Sequence, residues 1–206
     1  IESVTATPFV KPLEGICAVT WSVYGTLLRI SDGQLHLDHP QQLRMRVAME
    51  KPIKAFNMWQ SMSRKPGAPW EYLYQQYCDC LELRQMAATG KTGNFPQVNA
   101  ATVWSTLLGR LAQNEYEYDR EFYGDEDQFA EKVAFFFHQG LQGVEASDGA
   151  LETLSAIGQS PMRQTLLADA QPFTLVQLLR ALGSQGTLPP LGELLDADAM
   201  TLSCQI

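Results

Sequence analysis

The run Ile16-Cys-Ala-Val-Thr-Trp21 leads directly into Ser22-Val-Tyr-Gly-Thr26, and no other stretch constrains the fold as tightly. A short, mostly apolar run with β-branched and aromatic members, closed by a glycine, predicts a buried strand of a parallel sheet. Gly25 supplies the backbone freedom for a sharp exit from that strand. In open α/β sheets ligands bind beyond the carboxyl ends of the strands. Ser22 and Tyr24 are therefore expected to face a pocket, with Thr26 bonding the loop backbone or a bound anion.

Residues 38 to 142 carry a different grammar, mainly helical. Gln41–Met62 spaces Leu43, Val47, Ile53, Phe56, Met58 and Trp59 along one segment, with Pro52 expected to start a new helix or kink one. Trp70–Met86 carries Trp70, Leu73, Tyr74, Tyr77, Leu81 and Leu83 at amphipathic spacing. Asn99–Leu111 and Gln128–Phe137 are the next two helices, the second preceded by acidic residues that suit a helix N-terminus. Trp59, Trp70, Tyr74, Tyr77, Phe135 and Phe136 are expected in the core of this region, some lining a pocket face. Beyond Gly140 strands and helices alternate. A helix is expected over Gly149–Ile157, a strand over Gln164–Leu167, a helix over Phe173–Leu182 and a strand over Met200–Ile206.

The order of a strand, a long helical insert and a return to α/β, together with three local motifs, resembles the haloacid dehalogenase-like (HAD) hydrolases of the helical-cap subfamily. The motifs are Val23-Tyr24-Gly25-Thr26, the re-entry Gly143-Val-Glu-Ala-Ser-Asp-Gly-Ala-Leu-Glu-Thr-Leu154, and Leu166-Leu-Ala-Asp-Ala-Gln-Pro172. The resemblance implies an α/β fold: a HAD-like Rossmannoid parallel-sheet core, residues 13–31 plus 143–206, with an inserted all-helical cap, residues 32–142. It places Ser22 where the family has its nucleophilic Asp, and Tyr24 where the dehalogenase branch has a tyrosine that would orient or donate a proton. Gly25, Thr26, Ala168 and Asp169 fall at substrate-binding positions, with Ala168 where the family has Ser or Thr and Asp169 where it often has Asn. The family's Mg²⁺ is implied as a cofactor, weakened by the loss of the carboxylate at position 22, and no other metal site is expected.

A carboxylate is ionised at neutral pH and needs no base to attack, whereas a serine hydroxyl needs one and carries no charge to hold Mg²⁺. The expectation is a hydrolase-family protein, of phosphatase or haloacid dehalogenase type, that is catalytically impaired. Its substrate would be a small-molecule acid or phosphate ester. The alternative is a non-enzymatic protein that binds a small anion or serves in assembly. The Lys-Pro and acidic segments that follow the last strand in the family do not follow Met200–Ile206 here, so a dimer mate, a second chain or a rearranged strand is expected to cover the sheet edge.

Composition narrows the classes. The 206 residues are 45% hydrophobic and 18% charged, with net charge −8 and a sequence pI near 4.8. Such an acidic chain without a basic stripe argues against nucleic acid and anionic membrane as partners. No apolar run spans a bilayer, and a cytoplasmic setting is expected. Cys17, Cys78, Cys80 and Cys204 lack zinc-ligand spacing and are expected to be reduced, with Cys17 buried in its strand. His36, His39 and His138 are expected to be structural or surface residues, and Arg44 and Arg46 solvated or a carboxylate clamp. Thr89-Gly-Lys-Thr-Gly93 fails as a P-loop, because position 85 is Gln and the preceding segment is helical.

Overall fold

The computed structural model describes residues 11–63, 66–89 and 97–205. The loop expected at Thr89–Asn94 lies outside the described residues apart from Thr89 itself. In chain order the elements are β1 (Ala18–Trp21), β2 (Leu28–Ile30), α1 (Gln42–Ala55), α2 (Pro69–Thr89), α3 (Ala100–Ala112), α4 (Arg120–Tyr123), α5 (Glu126–Leu141), β3 (Val144–Ala146), α6 (Ala150–Gly158), β4 (Arg163–Ala168), α7 (Thr174–Gly183), α8 (Leu191–Leu194) and β5 (Thr201–Leu202). Strands β1, β4 and β5 form a parallel sheet with β4 in the centre. Helices α1 to α5 are inserted between β2 and β3, which pair antiparallel with Leu28 opposite Ala146 and Ile30 opposite Val144. The architecture is an α/β core with an inserted all-helical cap.

Helices α3 and α5 start where the sequence offers side-chain acceptors. Asn99 accepts from the amides of Ala101 and Thr102 at the head of α3. Asp125 and Gln128 form a reciprocal capping box at the head of α5. Buried stripes follow at helical spacing: Val103, Trp104, Leu107 and Leu111 on α3, and Phe129, Val133, Phe137 and Leu141 on α5. Trp104, Tyr77 and Phe137 meet with ring centroids 5.2 to 5.6 Å apart.

Several expectations are corrected here. In α1 the buried stripe is Met45, Ala48, Met49, Pro52 and Ile53, while Leu43 and Val47 face solvent. The methionines and alanine carry the packing, and the more hydrophobic-looking pair does not. Pro52 does not start a new helix; it lies inside α1, near its carboxyl end. The break falls at Asn57 in the left-handed region (φ 54°), before a short 3₁₀ segment over Met58–Met62, and Trp59 on that segment is exposed. The strand expected over Met200–Ile206 is only two residues long. The chain then coils into a 3₁₀ turn where Ser203 Oγ accepts from Ala170 N at 2.8 Å; Ile206 itself lies outside the described residues.

The first strand is not buried either. It forms one edge of the sheet, and in its register with β4 Ala18 and Thr20 share a face with Arg163 and Thr165. That face is open to solvent, as is Leu167 further along β4; Cys17, expected to be buried in the strand, precedes it and is exposed. The opposite face is covered: Leu166 joins Leu154 of α6 and Leu178 and Leu182 of α7 in one apolar cluster. Gln164 on this face accepts from Trp21 Nε1 and donates to the Leu154 carbonyl, so its buried amide is satisfied.

Candidate functional site

Where β1 ends, the chain turns through Ser22, Val23 and Tyr24. Val23 is fully buried and anchors the turn, its carbonyl accepting from the amides of both Leu27 and Leu28. Gly25 takes φ 87°, a conformation an L-residue reaches only at a cost. The neighbouring strand β4 ends at Ala168, and its loop carries Asp169, Ala170 and Gln171. Between these loops and the helical insert lies a cleft of about 560 Å³. Ser22, Tyr24, Asp169 and Gln171 line it from the sheet side, Gly33, Gln34, Leu35 and Leu37 from the linker into the insert, and Gln85, Gln97 and Val98 from the insert.

Three of the six residues singled out in the sequence therefore come together: Ser22, Tyr24 and Asp169. Gly25 and Thr26 are exposed in the turn, and Ala168 is half-buried below the cleft; none of the three is among its lining residues. The Ser22 hydroxyl is exposed and its contact within the chain is a long one, 3.4 Å to the Tyr24 carbonyl. Tyr24 is half-buried. Its hydroxyl, expected to serve the site, instead donates to Gln177 Oε1 at 2.6 Å and lies 3.0 Å from Thr174 Oγ1. Burial pushes the Tyr24 phenol up to about 12. This tyrosine works as a bolt between the β1 turn and α7.

The cleft is fixed in shape by two glutamines that no spacing in the sequence marked. Gln142, buried at the exit from the insert, accepts from His36 N at 2.8 Å and donates to the carbonyls of Ser31 and Gln34. One side chain thus ties both chain crossings between the two parts. Gln171 accepts from Ala100 N at 2.7 Å and donates to the Val98 carbonyl, docking the head of α3 onto the loop after β4. Phe173 continues this seam, reaching into the insert's apolar cluster and packing 4.6 Å from the His138 ring. The linker is also held by Tyr77, whose hydroxyl donates to the Leu37 carbonyl.

Asp32 at the linker's start adopts φ 69°. His39 Nε2 lies 3.1 Å and Arg44 Nη1 2.7 Å from its Oδ2. The His39 bond, with Arg44 close by, holds the Asp32 carboxyl below the usual carboxylate range. His39 Nδ1 accepts from Gln41 N, which makes Nε2 the protonated nitrogen and the donor to Asp32. Arg44 thus serves the linker and not the cleft, while Arg46 pairs with Glu50 and lies over Trp70.

The donor set does not suit Mg²⁺. Among the described residues lining the cleft Asp169 is the one carboxylate, and no group of three His, Cys, Asp or Glu is placed to hold a metal ion.

No family model matches the sequence, and no curated protein does. Among solved structures the chain is similar to the L-2-haloacid dehalogenase of Xanthobacter autotrophicus, both alone and with chloropropionic acid covalently bound. Identity is 17% in each case, with TM-scores of 0.28 and 0.29 respectively. The overlap takes in 89% of this chain but only 60% of the dehalogenase chain. Overlap this loose leaves any functional reading to rest on the residues of the cleft. No helix among the described residues is long and apolar enough to cross a membrane.

Proposed function

We propose that this chain is a ligand-binding relative of the HAD-like hydrolases, holding a small molecule between a core (residues 13–31 and 143–206) and a cap (residues 32–142) without hydrolysing it. The observation that carries the reading is Ser22. It stands at the end of β1, in the wall of the cleft, where covalent hydrolysis of the family type requires an ionised carboxylate. Its hydroxyl leans on the Tyr24 carbonyl, and the Tyr24 hydroxyl is turned away to Gln177. The Tyr24 hydroxyl, which the resemblance assigns to chemistry, is thus engaged in holding the loop.

The pinned seam points the same way. Enzymes that close a cap over substrate need a joint that moves. Here Gln142 and Gln171 together make five hydrogen bonds across the crossings and the seam. The test is an assay of 2-chloropropionate and of a generic phosphate ester with Mg²⁺, using the chain and Ser22→Asp. No turnover by the chain is expected, even at high enzyme concentration. Turnover abolished by Ser22→Ala would overturn the reading. Activity gained only in Ser22→Asp would support it, by showing that a carboxylate is what the cleft lacks.

A further inference from the structure

We infer that the cleft accepts a small organic cation, an ammonium group on a short apolar stem. This rests on the reading of the cleft as a binding site and names the class of its ligand. Asp169 is exposed in the cleft wall and makes no hydrogen bond or ion pair with any described residue. Asp32, Asp148 and Asp196, by contrast, each pair with an arginine. An unpaired carboxylate facing a cavity in a chain of net charge −8 attracts cations and repels anions.

The rest of the wall fits the same chemistry. Leu35, Leu37 and Val98 line the cleft and offer apolar surface for a stem. Ser22 Oγ can accept a further N–H. A volume of about 560 Å³ lies within the range of sites for small ligands. The anionic ligand that the family resemblance implies would meet Asp169 head-on, so the two ligand classes are separable by experiment.

The experiment is an NMR titration of the chain with n-butylammonium chloride, with sodium butyrate and inorganic phosphate as anionic probes. n-Butylammonium is expected to bind saturably, shifting the signals of Leu35, Leu37 and Val98. Asp169→Asn should weaken it about fivefold, the scale of one partly screened charge contact, and Asp169→Glu should restore most of the loss. Because Asp169 is exposed and makes no hydrogen bond or ion pair with any described residue, both variants should keep the wild-type spectrum elsewhere. Butyrate or phosphate binding as tightly as the amine, or absence of amine binding, would overturn the inference. Turnover in the hydrolysis assay would overturn the non-hydrolytic reading whichever probe binds, so the two failures are distinguishable.

Discussion

In the helical insert Trp104 is fully buried between Tyr77 and Phe137, and α3 and α5 close their apolar stripes on each other. In the sheet, β4 alternates buried Leu166 with Leu167, which is 57% exposed, and the edge strand β1 follows the same rhythm. The insert's core closes mostly on itself, with Phe173 joining it from outside, whereas among the described residues the sheet is packed on one face. A closed core loses heavily when one member is removed, because its neighbours cannot relax into the space. A one-sided sheet divides into residues that matter greatly and residues that contribute little.

The largest effect expected of a single change is in the insert. Trp104→Ala should lower unfolding free energy by about 3–5 kcal/mol in chemical denaturation. A loss under about 1 kcal/mol would mean that the aromatic cluster is loosely packed and the contrast with the sheet is false. At the seam the test is acid. Burial holds the His138 imidazole down at about 3, and neither ring nitrogen has a partner among the described residues. Between about pH 6.5 and 3 the unfolded chain therefore binds a proton that the folded chain does not, so stability falls as pH drops through that window. The contribution is on the order of a few kcal/mol, present in full above pH 6.5. His138→Leu should flatten the pH dependence of the denaturation midpoint there, and an unchanged slope would place the acid sensitivity elsewhere. The smallest effect should come from the open face: Leu167→Lys should change stability by less than about 0.5 kcal/mol. A large loss would show that this face is covered in solution.

Much of the frame was legible because its signals are local. Asn99 and Asp125 announce helix starts by their own side chains, and the Leu166 strand stands out as an apolar run before a loop. The α1 register is not legible from hydrophobicity, because Leu43 and Val47 look more apolar than Ala48 and the methionines that are actually buried. Of the site, the sequence marked Ser22, Tyr24 and Asp169, each next to a strand end. The wall contributed by Gln34, Leu37 and Gln97 depends on where the insert folds back, and nothing in their spacing carries that information. The direction of the Tyr24 hydroxyl was equally hidden, since its partners lie 150 residues or more away.

The amide of Gln142 has a further consequence, for the order in which the chain assembles. Ala18 and Arg163 are sheet partners across roughly 145 residues of chain, a long loop to close from the unfolded state. Once the insert has folded and Gln142 has gathered Ser31, Gln34 and His36, the two ends of the insert lie side by side and β2 meets β3. The loop left to close between β1 and β4 is then about 30 residues, which lowers its entropic cost by roughly 1 kcal/mol. The insert thus acts as a splint: its folding brings together the two halves of a sheet that the sequence keeps far apart.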